Sequence, residues 1–139
     1  MIVDRGKTRL FPLFFKELKG MSKALRFDAK AKTFSEVEIK ELSDIYSSIG
    51  CELFENHAIR INDNRYNILI DEEGRFKNNP VISGYSPLIG TIVGNVIIAG
   101  PIVDGEYTDI TSNDVINILS SLTTMQLRDG KELELLYFV

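Results

Sequence analysis

The chain has 139 residues, 44% of them hydrophobic and 26% charged, which suits one folded domain and is too apolar for a disordered chain. Its apolar runs are too short to span a membrane, and Asp4, Arg5 and Lys7 interrupt any signal-like opening, so a cytoplasmic protein is expected. A single cysteine, Cys51, excludes an intrachain disulfide and a cysteine-based zinc cluster.

The net charge of −4 is unevenly divided. Residues 1–32 carry nine Lys or Arg against three carboxylates, a local charge of +6; the remainder carries seven against seventeen, or −10. Two readings of this split stand side by side. The basic segment can dock on the acidic body or pair across a dimer, or Arg5, Lys7 and Arg9 can contact nucleic acid. Docking is favoured, because the basic residues are interleaved with LFPLFF at residues 10–15 rather than clustered in a polar tail. The segment itself is ambiguous. Pro12 fits the first turn of a helix ending at Gly20, but a strand from Arg9 to Phe15 fits nearly as well.

KALRF then reads as a short strand. In TFSEVEIKELSDIYSSIG, Val37, Ile39, Leu42, Ile45, Tyr46 and Ile49 recur at helical spacing, predicting a helix over about 36–49. Ser35 and Glu38 form a capping box for it, and Gly50 a left-handed end. Residues 51–72 form a predicted antiparallel hairpin turning at Asp63-Asn64. The segment DEEG, residues 71–74, closes its second strand. Gly74 comes too early for an EF-hand, and Arg75 and Lys77 occupy ligand positions, so a turn with Gly74 at positive φ is expected rather than a metal site. NNPVISGYSPLIG is a predicted loop, and TIVGNVIIAG a central strand covered on both faces.

PIVDGEYTDI connects to a second helix, about 112–123, capped by Thr111 and Asp114. Residues 124–139 form a terminal hairpin around Asp129-Gly130. The whole is one domain, residues 1–139, of α+β class: a mostly antiparallel sheet with two main helices packed on it.

No residue pattern names a reaction. His57 and Cys51 would lie roughly 20 Å apart on one regular strand, too far for a nucleophile–base pair. Glu52 and Glu55 fall on opposite faces of such a strand. The glycines of GTIVGNVIIAG do not match a dinucleotide or P-loop pattern. No catalytic residue, metal ligand or cofactor is therefore expected. Phe11, Phe14, Phe15, Tyr137 and Phe138 are the candidate interface, since an apolar last strand at a sheet edge invites pairing with a second copy.

Several short segments carry a family resemblance: Ile49-Gly50-Cys51-Glu52, Asp71-Glu72-Glu73-Gly74, Asn78-Asn79-Pro80, Ile92-Val93-Gly94, and Thr108 to Leu119. Over about residues 24–122 the chain resembles the domain-of-unknown-function family 3846, small proteins of bacteriophages and other mobile elements. The resemblance implies no catalytic residues. It implies a setting, an accessory protein in the cytoplasm of a phage host. Three functions follow as expectations. The first is binding to a host protein, such as a defence component, through acidic surface. The others are association with nucleic acid through the basic segment, and a small-ligand or enzyme pocket near residues 72–90.

Overall fold

The computed structural model describes residues 22–77 and 80–138. Among them the strands and α-helices run β1 (Ser22–Asp28), β2 (Thr33–Ile39), α1 (Leu42–Ile49), β3 (Phe54–Ile61), β4 (Asn64–Asp71), β5 (Ile82–Ser86), β6 (Gly90–Val93), β7 (Val96–Ala99), β8 (Ile102–Val103), β9 (Glu106–Tyr107), α2 (Ser112–Leu119), β10 (Leu122–Gln126) and β11 (Glu132–Tyr137). A five-stranded sheet has the order β2-β1-β7-β4-β3, antiparallel throughout. A second sheet has the order β10-β11-β5-β6, in which β11 and β5 run parallel. Strands β8 and β9 make a separate two-stranded ribbon. The α+β, mostly antiparallel class holds.

The five-stranded sheet is buried on both faces. On one, Ile45 and Ile49 of α1 meet Ala24, Leu69, Ile97 and Ala99. On the other, Leu25, Phe27, Ile68 and Ile98 meet Val115 and Ile118 of α2 and Ile92, Leu136 and Phe138 around the second sheet. Strand β7 sits at the centre with all four residues buried. Its β-branched side chains suit a strand packed on both sides, and each buried isoleucine adds about 1.5–3 kcal/mol.

Local signals located several elements correctly. Gly50 ends α1 with φ 80°, its N–H donating to the Tyr46 carbonyl. The β3–β4 hairpin turns at Asn62 and Asp63, φ 49° and 69°, one residue before the expected pair. Thr111 and Asp114 cap α2 reciprocally. That helix is shorter than expected, because Leu122 onward pairs with β11.

Other expectations are corrected. The predicted helix over 36–49 is strand as far as Ile39, and the capping box belongs to Glu41 and Asp44 instead of Ser35 and Glu38. Every β2 residue pairs with β1, and those ladder bonds outweigh the helical spacing. The loop expected over 78–90 contains β5. The single strand expected over 91–100 is β6 and β7, in different sheets, bent at Gly94 with φ 81°. Gly74 has no positive φ. It opens a 3₁₀ turn, and what requires glycine there is space: a Cβ would stand 2.8 Å from Val93 Cγ2. The last strand, β11, is not a sheet edge, since β10 and β5 flank it. Phe138 is accordingly core, while Tyr137 stays partly exposed.

Candidate functional site

One concavity among the described residues lies between the start of α1 and the β8–β9 ribbon. It encloses about 550 Å³ and is lined by Lys40, Glu41, Leu42, Glu106, Tyr107 and Asp109, among others. The ribbon turns tightly at Asp104 and Gly105, φ 53° and 81°. Its base is tied to β1: Ser22 Oγ donates to the Tyr107 carbonyl (2.7 Å), Lys23 N–H to Asp109 Oδ1 (2.7 Å), and Ile110 N–H to the Lys23 carbonyl (3.1 Å). Tyr107 donates to Asn56 Oδ1 (2.8 Å); burial pushes its phenol pKa up. On the helix side, Asp44 accepts from the Lys40 and Glu41 amides (2.8 and 3.1 Å), which holds its carboxyl below the usual range.

Three carboxylates, Glu41, Glu106 and Asp109, and one ammonium, Lys40, therefore line this groove. Leu42 in its lining is more than half exposed, and on β8, which pairs with the lining residues Glu106 and Tyr107, Ile102 and Val103 are half-exposed or more. Carboxylates interspersed with uncovered aliphatic side chains suit a cationic macromolecular surface, which can match both features.

A second, shallower groove of about 650 Å³ runs over the end of α1, lined by Tyr46, Gly50, Cys51, Glu52, Glu73 and Lys77 among others. Here the DEEG segment acts as a turn. Asp71 Oδ1 accepts from the Glu73 amide (2.9 Å) while Oδ2 pairs with Lys77 Nζ (2.6 Å), and Lys77 also donates to the Gly50 carbonyl (3.2 Å). The hydrogen bond that Lys77 donates to Asp71 raises the Lys77 pKa. Burial, helped by the Asp71 charge, pushes the Cys51 thiol up and makes its thiolate scarce. Of the pocket expected near residues 72–90, Glu73 and Lys77 are the described residues that line this groove.

A family model for a domain of unknown function, DUF3846, matches residues 21–124. The chain belongs to that family. No curated protein and no solved structure matches it. The DUF3846 match spans the five-stranded sheet, both helices and the acidic groove, and stops within β10, leaving β11 outside.

The other residues singled out in the sequence fall apart in the DUF3846 fold. Arg5, Lys7, Arg9, Phe11, Phe14 and Phe15 lie outside the described residues. His57 contacts Glu55 (3.1 Å), its neighbour on the same face of β3. Among the described residues no group of three or more His, Cys, Asp or Glu is arranged to hold a metal ion, and no helix is long and apolar enough to cross a membrane. Sequence reasoning missed Glu41, Glu106 and Asp109 as a set. The only signal was the acidic balance after residue 33, which says how much charge there is but not where.

One polar network holds α2 against the sheet. Tyr66, 2% exposed, donates to Asp114 Oδ1 (2.9 Å) and accepts from Asn117 Nδ2 (3.0 Å). Burial first, and then the Asp114 carboxylate, push the Tyr66 hydroxyl up to about 12. An unfolded tyrosine ionises near pH 10. Between pH 10 and 12 the unfolded state releases this proton while the folded state keeps it, so stability falls as pH rises through that window. Tyr66→Phe is expected to cost about 2 kcal/mol at neutral pH and to remove that part of the alkaline loss. Denaturant melts at pH 7 and 11 check both.

Proposed function

We propose that this protein acts by binding, and that the groove between α1 and the β8–β9 ribbon receives a basic surface of a partner protein. The observation that carries the reading is the combination of Glu41, Glu106 and Asp109 with the exposed Leu42 in one concavity, beside strand β8, which carries the exposed Ile102 and Val103. Charge complementarity would steer the encounter, and the aliphatic side chains would hold the complex once water is expelled. The mobile-element setting implied by the family resemblance makes a host protein, first of all a defence component, the partner to look for.

The test is capture from lysate of the native host, comparing the wild type with Glu106→Lys combined with Glu41→Gln. Both positions are exposed, so the fold should survive. A protein held by the wild type in a salt-sensitive way should bind the variant roughly tenfold more weakly or worse, because opposed like charges cost several kcal/mol. Equal capture by both removes the groove from the mechanism. If nucleic acid is what elutes with salt, the basic N-terminal segment becomes the reading to pursue.

A further inference from the structure

We propose that two copies of this protein pair edge to edge through β10, antiparallel, about a twofold axis at Thr124. The hydrogen bonds of the β10–β11 pair fix which backbone groups are spoken for. The Ser121 carbonyl accepts from the Tyr137 amide (2.9 Å), and the Leu127 amide donates to the Lys131 carbonyl (2.7 Å). In an antiparallel ladder such residues alternate, so 121, 123, 125 and 127 face β11 while Leu122, Thr124 and Gln126 aim N–H and C=O away from it. No described residue meets those outward groups, because β10 ends the order of its sheet.

Protected edges carry charge, proline or a bulge, or are very short. Among the other outer strands, β3 carries Glu55, His57 and Arg60, β2 carries Glu36 and Glu38, and β6 has four residues. LTTMQ of β10 has no charge, and all but Leu122 of its residues are exposed. It is also self-complementary. With Thr124 opposite Thr124, Leu122 faces Gln126 at both ends. Every outward group is then paired, on the order of six new backbone hydrogen bonds. No charge opposes a like charge along the seam.

The same register continues an apolar stripe. Tyr85 and Tyr137 stack at 6.2 Å on the face that also carries Met125. Met125 and Leu127 are 42% and 41% exposed. Pairing sets Met125 against Thr123 of the second copy and covers part of this surface. The dimer uses no residue of the acidic groove, so it stands or falls separately from the binding reading.

The experiment uses the full chain. Sedimentation at micromolar concentration should give twice the chain mass. Thr124→Pro removes an outward N–H and no bond to β11, so it should give the monomer mass with a near-native melt. A cysteine at the axis supplies the positive test. In a Cys51→Ser background, Thr124→Cys places two thiols on backbones about 5.5 Å apart at Cα, within disulfide reach, and should oxidise to a covalent dimer. Leu127→Cys, far from its own copy in this register, should not. A monomeric wild type, a dimer indifferent to Thr124→Pro, or equal crosslinking at 124 and 127 would each overturn the proposal.

Discussion

Lys23→Met is expected to destabilise the protein by about 3 kcal/mol, the low end of what removing one partner of a buried ion pair costs. Lys23 is 1% exposed, and its ammonium lies 3.1 Å from Glu36 Oε1 and 3.0 Å from Glu38 Oε2. The arrangement follows from strand pairing. Lys23 faces Glu38 across β1 and β2, and Leu25 faces Glu36, so ammonium and both carboxylates project from the same side of the sheet. Methionine fills a similar volume without charge. Two carboxylates then face each other with the compensating cation gone. Glu38, 37% exposed, can rehydrate; Glu36, at 13%, cannot do so fully, and its Oε2 is buried without a hydrogen-bond partner among the described residues. A chemical-denaturation midpoint equal to the wild type's would show that the cation contributes nothing net. Adding Glu36→Gln to Lys23→Met should recover part of the loss, because it removes the stranded charge rather than the packing.

Gly100→Val should cost a similar amount, about 3 kcal/mol, the upper part of the usual range for forcing extra carbon into packed structure. A Cβ at Gly100 would stand 2.5 Å from the Thr108 carbonyl oxygen and 2.6 Å from its hydroxyl. Thr108 cannot easily yield. Its amide and hydroxyl both bond the Pro101 carbonyl, at 2.9 and 2.7 Å, and these contacts clamp the base of the β8–β9 ribbon. The Gly100 carbonyl is also committed, accepting from the buried Asn67 Nδ2 (3.1 Å). The strain must therefore open the ribbon. Thermal melting gives the size of the effect, and faster amide exchange at Tyr107 and Ile110 than in β1 would place it. A variant that melts like the wild type would mean that the ribbon can shift freely.

What the sequence revealed depended on how local the cause was. Gly50, Thr111 with Asp114, and the Asn62–Asp63 turn act over a few residues, and each was legible to within a residue. β7 could be read because four apolar residues in a row suit a strand with two dry faces. The failures have causes outside the segment concerned. Thr33–Ile39 carries a helical stripe, but pairing with β1 decides its state. Gly94 bends the chain between sheets because β6 and β7 have different partners, which no local pattern announces. The acidic groove joins Ser22, residues 39–42 and Ile45, and residues 105–109. Its membership is set by topology, not spacing, so charge counting predicted an acidic surface without finding it.

The position of β7 also dictates an order of events during synthesis. Hairpins β1–β2 and β3–β4 close over short stretches of chain, but they lie on either side of β7 and meet only through it. Until Ala99 has left the ribosome, each hairpin must wait with one open edge, β1 on one and β4 on the other. The contacts that join β1 to β7, such as Leu25 with Ile98, span some seventy residues, and long-range pairings of this kind form late and slowly. Between those moments the nascent chain exposes two sticky margins at once, and the length of that interval, more than the stability finally reached, governs how readily it aggregates.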